Sequence, residues 1–74
     1  MTIETLGNAL AIKGITGQIF QGGKKMRVFL TPEVMEALGA EDATALTASL
    51  MGLANVHNVN FAGGEPDHLD FKEP

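Results

Sequence analysis

Cysteine, tryptophan and tyrosine are absent from the 74 residues, and serine occurs once, at Ser49. Without cysteine there is no disulfide and no thiolate metal site, so nothing covalent supplements the core. The absence also fits a reducing compartment. A single serine, with no histidine patterned beside it, leaves little for nucleophilic catalysis. No apolar run approaches the ~18 residues of a membrane span. No N-terminal segment joins a basic region to an apolar run and a cleavage site. The expectation is a soluble, cytoplasmic chain forming one domain over residues 1–74, with residues 1–8 and 72–74 as candidate frayed ends. So short a chain buries only a modest share of its surface. Self-association, most simply as a two-fold dimer, is the remaining route to more buried area.

Charge is unevenly placed. Residues 1–30 carry Lys13, Lys24, Lys25 and Arg27 against Glu4, a net +3. Residues 31–74 carry Lys72 against Glu33, Glu36, Glu41, Asp42, Glu65, Asp67, Asp70 and Glu73, a net −7, giving −4 overall. Such asymmetry suits self-assembly or recognition of a charged partner, and also suits an ordinary solvated surface.

The most informative stretch is ITGQIFQGGKKMRVFL, residues 15–30. Gly22-Gly23 predicts a two-residue hairpin turn. In that register Ile19 faces Met26 and Gln18 faces Arg27. Side chains alternate along a strand. One face therefore collects Ile15, Ile19, Met26, Val28 and Leu30, and the other Thr16, Gln18, Phe20, Lys25, Arg27 and Phe29. A one-residue slip would mix the sets, so the pattern selects the register.

The flanking segments are read by period and punctuation. In residues 1–14, Ile3, Leu6 and Leu10 sit at helical spacing with Thr2 as a candidate N-cap, but Gly7 and Asn8 interrupt it. A short helical turn or loop leading into an extended run from Leu10 is the favoured reading. Thr31-Pro32 opens a helix over about 32–39, acidic at its start and stopped by Gly39. A second helix over about 42–54 presents Leu46, Leu50 and Leu53, with Ala43 extending the stripe. Gly52 is a candidate early stop. Thr44, Ala48 and Gly52 form a small-residue stripe expected to pack on the protein's own sheet. Residues 57–71 read as a second hairpin. In it His57, Val59 and Phe61 share a face, a loop covers residues 63–67, and Leu69 and Phe71 alternate with His68, Asp70 and Lys72. The predicted fold class is α+β: an antiparallel sheet from two β-hairpins packed against two short helices.

Candidate chemistries fail specific tests. After Gly17 and four residues comes Gly22, but Gly23 stands where a phosphate loop needs lysine, and a strand rather than a helix follows. His57 and His68 with Glu65, Asp67 or Asp70 offer metal-ligand types, but they match no standard spacing and the two histidines fall on opposite strand faces. The carboxylates cluster in helix starts and loops, where solvation is their ordinary fate. No cofactor, no metal and no enzymatic activity are expected.

The outer hairpin face is the best candidate site, with Phe20, Lys24, Lys25, Arg27 and Phe29 together. Aromatic side chains and arginine are the residues enriched at protein-binding hot spots. KMRVFLTPEVMEALG, residues 25–39, resembles the strand-then-helix opening of ribbon-helix-helix repressors. Gly39 ends the helix early and a preceding hairpin strand is foreign to that pattern, so the family is not assigned. The expected function is a small non-enzymatic protein–protein interaction module of inhibitor or adaptor type, of a size common among phage-encoded and bacterial accessory proteins. Two alternatives are a nucleic-acid-binding dimer using the basic and aromatic face and a structural assembly subunit.

Overall fold

A computed structural model describes residues 2–74 and gives a small α+β domain of three helices and a four-stranded antiparallel sheet. In chain order these are α1 (Thr2–Ile12), β1 (Gln18–Ile19), β2 (Lys25–Phe29), α2 (Pro32–Ala37), α3 (Ala43–Val56), β3 (Asn60–Glu65) and β4 (His68–Lys72). The strands lie in the order β1-β2-β4-β3, so the two hairpins join along β2 and β4. No helix among the described residues is long and apolar enough to cross a membrane.

Pairing follows the expected register. Gln18 faces Arg27 and Ile19 faces Met26. The hairpin is shorter than residues 15–30, however, because β1 has only two residues, and its loop is wider than Gly-Gly. Gly23 N–H donates to Phe20 C=O at 3.0 Å and Phe20 N–H donates to Lys25 C=O at 3.0 Å. The loop is therefore Gln21 to Lys24, one residue longer on each side, which leaves the register unchanged. β2 and β4 then pair Lys25 with Lys72, Met26 with Phe71, Arg27 with Asp70, Val28 with Leu69 and Phe29 with His68. Cross-strand partners share a face. Met26, Val28, Leu69 and Phe71 form the inner face, and all are buried.

Helices α1 and α3 cover that inner face. The N-terminal segment is a helix through Ile12, not a turn leading into a strand. Ile3, Leu6 and Leu10 are buried at i, i+3 and i+7, and this stripe overrides Gly7 and Asn8. The Thr2 side chain, a candidate cap, lies outside the described residues. The helix start is met from the far end of the chain, where Glu73 Oε2 accepts from Ile3 N–H at 2.9 Å. Glu73 N–H also donates to Lys24 C=O at 2.9 Å, which places residues 72–74 beside β2.

In α3 the buried line is Leu46, Leu50 and Ala54, with Leu53 only half-buried and Ala43 exposed. Thr44, Ala48 and Gly52 are exposed rather than packed on the sheet. Two residues correspond to about 200° of helix rotation, so a stripe offset by two from the buried one faces away from it. Gly52 does not end the helix, which runs on to Val56. Thr31 caps α2 by accepting from Val34 N–H at 3.1 Å, and Asp42 caps α3 by accepting from Ala45 N–H at 2.8 Å.

All three helices end the same way. Beyond α1, Gly14 has φ 81° and Ile15 N–H reaches Leu10 C=O at 2.9 Å. Beyond α2, Gly39 has φ 67° and Ala40 N–H reaches Met35 C=O at 3.0 Å. Beyond α3, Asn58 has φ 58° and Val59 N–H reaches Ala54 C=O at 2.8 Å. This is the Schellman stop, a left-handed residue followed by a six-to-one hydrogen bond and an apolar contact. Ile15 and Val59, the residues just past two of these stops, are buried in the core. His57 consequently caps α3 and is not a strand residue.

The second hairpin also turns elsewhere than expected. β3 runs through Gly63 and Gly64 to Glu65, and the turn is Pro66-Asp67. A bulge lies between Phe61 and Gly63, where Gly63 takes φ 105°. At Gly64 a side chain would place its Cβ 2.7 Å from His68 C=O. Both glycines are therefore demanded by the strand rather than by a turn.

The Asn58 stop is testable. Asn58→Val puts a β-branched residue in a left-handed conformation and is expected to cost about 1–2 kcal/mol in urea unfolding. Asn58→Gly is expected to leave stability unchanged or raise it.

Candidate functional site

The outer face of the sheet has no helix over it among the described residues. It carries three cross-strand rows. At the β1–β2 turn end lie Phe20, Lys25 and Lys72, with Lys24 in the adjoining loop. In the middle lie Gln18, Arg27 and Asp70. At the opposite end lie Phe29, His68 and Glu65, next to Asp67 in the β3–β4 turn. Phe20 is 37% exposed and Phe29 is 42% exposed. The five residues singled out in the sequence thus share this surface: Phe20, Lys25, Arg27 and Phe29 on the sheet, and Lys24 on its rim.

The partner that sequence reading missed is Asp70. Arg27 Nε donates to Asp70 Oδ1 at 2.8 Å, and Arg27 Nη2 donates to Asp70 Oδ2 at 3.1 Å. This two-pronged geometry is the strong form of the pair. The Arg27 side chain is 32% exposed and that of Asp70 12%. Arg27 also lies over the Phe20 ring, its Cζ 5.5 Å from the centroid, and Lys25 Nζ lies 5.4 Å from the same centroid. The guanidinium is therefore held from two sides. The alternation of residues 68–72 already set Asp70 on the face opposite Leu69 and Phe71; what it did not show is that β4 lies beside β2 and so brings Asp70 to Arg27.

His68 is the second element assembled here. Its Nδ1 lies 2.8 Å from Asp67 Oδ1, its Nε2 lies 3.9 Å from Asp70 Oδ2, and its ring meets Phe29 edge-on at 6.0 Å. His57, at the end of α3, is not part of this surface. Among the described residues no three histidine, aspartate or glutamate side chains are placed to hold a metal ion. Ser49 lies on α3 and His68 on β4. A shallow hollow of about 310 Å³ is lined by Gln18, Ile19, Phe20 and Arg27.

The hydrogen bonds from Arg27 hold the Asp70 carboxyl below its ordinary 3.8, against the opposing effect of burial, with smaller help from the charges of Arg27, His68 and Lys25. A depressed folded-state value means that Asp70 stabilises the fold above its unfolded value, and that this contribution is lost as pH falls through the folded value. Asp70→Asn is expected to flatten the acid limb of stability below about pH 4. Urea unfolding at stepped pH measures this. A limb as steep as wild type would show that the pair contributes nothing to acid stability.

The chain matches no family model, no curated protein and no solved structure. Its own geometry is the ground for a functional reading.

Proposed function

We propose that this protein is a non-enzymatic interaction module that contacts another protein chain through the outer face of its sheet. One observation carries the reading. An antiparallel sheet with one face covered by helices leaves two half-exposed phenylalanines on the other, flanking a pre-organised Arg27–Asp70 pair. Aromatic and arginine side chains held in fixed positions are the composition of binding hot spots, because little side-chain entropy is lost when they are covered. The Lys25 and Arg27 heads already lie on the Phe20 ring, which fixes that anchor further.

Nucleic acid is the less favoured partner for this face. Arg27 is engaged by Asp70, and Glu65, Asp67 and Asp70 share the surface with Lys24, Lys25, Arg27 and Lys72. A phosphate backbone prefers a continuous cationic track. A protein surface of mixed sign suits this pattern better. The same mixture suits a soluble chain acting in the cytoplasm.

The test replaces the anchors while sparing the ion pair. Tagged wild type and Phe20→Ala/Phe29→Ala are compared for the proteins they recover from cells, including a co-expressed untagged copy of the chain. The variant is expected to lose what wild type retains, with unfolding unchanged within about 1 kcal/mol for half-exposed positions. Equal recovery by both would overturn the outer face as the contact surface.

A further inference from the structure

The outer face is polarised along the strand direction, and this points to its occupant. One end carries Lys24, Lys25 and Lys72; the other carries Glu65 and Asp67. Lys25 and Lys72 stand directly opposite one another in the β2–β4 ladder. Like charges so placed are unfavourable in an isolated sheet and are relieved by an anionic partner. Near this end a Glu73 carboxylate oxygen accepts from Ile3 N–H at the start of α1. Between the two ends, Arg27 and Asp70 neutralise one another.

We infer that the face receives a second copy of this chain, in a two-fold dimer whose axis lies in the plane between the sheets and runs across the strands. The inference rests on the outer-face reading and names its partner. Such an axis reverses the strand direction. It lays the lysine end of one copy over the carboxylate end of the other, with Lys72 the lysine nearest Glu65 and Asp67 of its mate, and the reverse contact forms by symmetry. An axis along the strands would stack lysines on lysines, so the charge pattern selects between the two. The same rotation brings Lys25 of one copy toward the half-exposed Phe29 of its mate, a cation over an aromatic face. The surface is small: four strands about 4.8 Å apart and five residues of about 3.4 Å each span a patch of roughly 15 by 17 Å. That is below the roughly 800 Å² per partner of a standard stable interface, so the dimer is concentration-dependent and salt-sensitive.

Charge reversal tests both the partner and its orientation. Lys25→Glu/Lys72→Glu makes both ends of the face acidic, and Glu65→Lys/Asp67→Lys makes both ends basic. All four side chains belong to exposed residues, and circular dichroism checks that each variant folds. Sedimentation equilibrium is run up to roughly millimolar protein, a range that captures weak specific contacts. Wild type is expected to dimerise, with a dissociation constant that rises about tenfold or more between low and high salt. Each double variant alone is expected to be monomeric, and their equimolar mixture is expected to form a heterodimer. The milder Lys72→Gln and Glu65→Gln are each expected to weaken the wild-type dimer several-fold, since every exposed pair occurs twice.

A wild type that stays monomeric overturns the inference, as do double variants that dimerise like wild type or a mixture of folded variants that fails to associate. No change from either glutamine variant also overturns it. A monomeric wild type whose Phe20→Ala/Phe29→Ala variant still loses recovered proteins would reject self-association alone. A monomeric wild type with unchanged recovery would reject the outer face altogether.

Discussion

The pairing of β2 with β4 is the constraint on which the rest of this fold depends. It brings residues 25–29 against residues 68–72, the longest-range contact between strands in the chain. Its two faces do different work. Inward, Met26 with Phe71 and Val28 with Leu69 form the layer on which α1 and α3 pack. Outward, Arg27 binds Asp70 at 2.8 and 3.1 Å. A slip of one residue would put Arg27 and Asp70 into the core and expose Met26 and Phe71. The apolar layer and the ion pair therefore specify the same register independently. Glu73 extends the effect by holding the start of α1 beside the end of β4, so the N-terminal helix is tied to the same pairing.

The uneven charge of the sequence acquires a physical meaning in this arrangement. Arg27 comes from the basic segment and Asp70 from the acidic one, and they meet in the middle of the sheet. Part of the asymmetry is thus used within the domain. What is left over on the outer face is sorted by position, lysines toward one end and carboxylates toward the other. A surface that were merely solvated would gain nothing from that order. A surface that meets an inverted copy of itself gains at both ends.

Much of this was legible in the sequence, for identifiable reasons. The strand register was readable because Met26 and Val28 alternate with Lys25, Arg27 and Phe29, and period-two patterns admit one solution. The helix cap at Thr31 was readable because side-chain oxygen and position coincide, whereas Asp42, expected as the first residue of the second helix, is its cap. Several of the misreadings share a cause: glycine was treated as punctuation. Gly7 and Gly52 sit inside helices that tertiary packing sustains, and Gly63 and Gly64 sit inside a strand that needs a positive φ and a close approach. Conversely Asn58 ends α3 with no glycine at all. The Arg27–Asp70 pair was hidden because its members lie far apart in sequence and on different hairpins. Each hairpin alone shows which residues face outward; only the order of the strands shows which of them meet.

The sheet edges bear on why a partner should use the face. An exposed edge strand offers unpaired backbone groups, and a regular one invites another strand to add on. Here β1 offers two residues, and β3 is broken by a bulge at Ala62 and by the positive φ of Gly63. Both edges are poor templates for extension. The outer face is the reverse case: its strands β2 and β4 are regular, paired with each other along their whole length and held in register by a two-pronged ion pair. Strand addition would have to pay for straightening β3 or ordering residues beside β1. Docking on the face meets side chains that Phe20, Arg27, Asp70 and His68 already hold in place. Rigidity at the centre and irregularity at the margins together favour recognition by side chains over recognition by backbone.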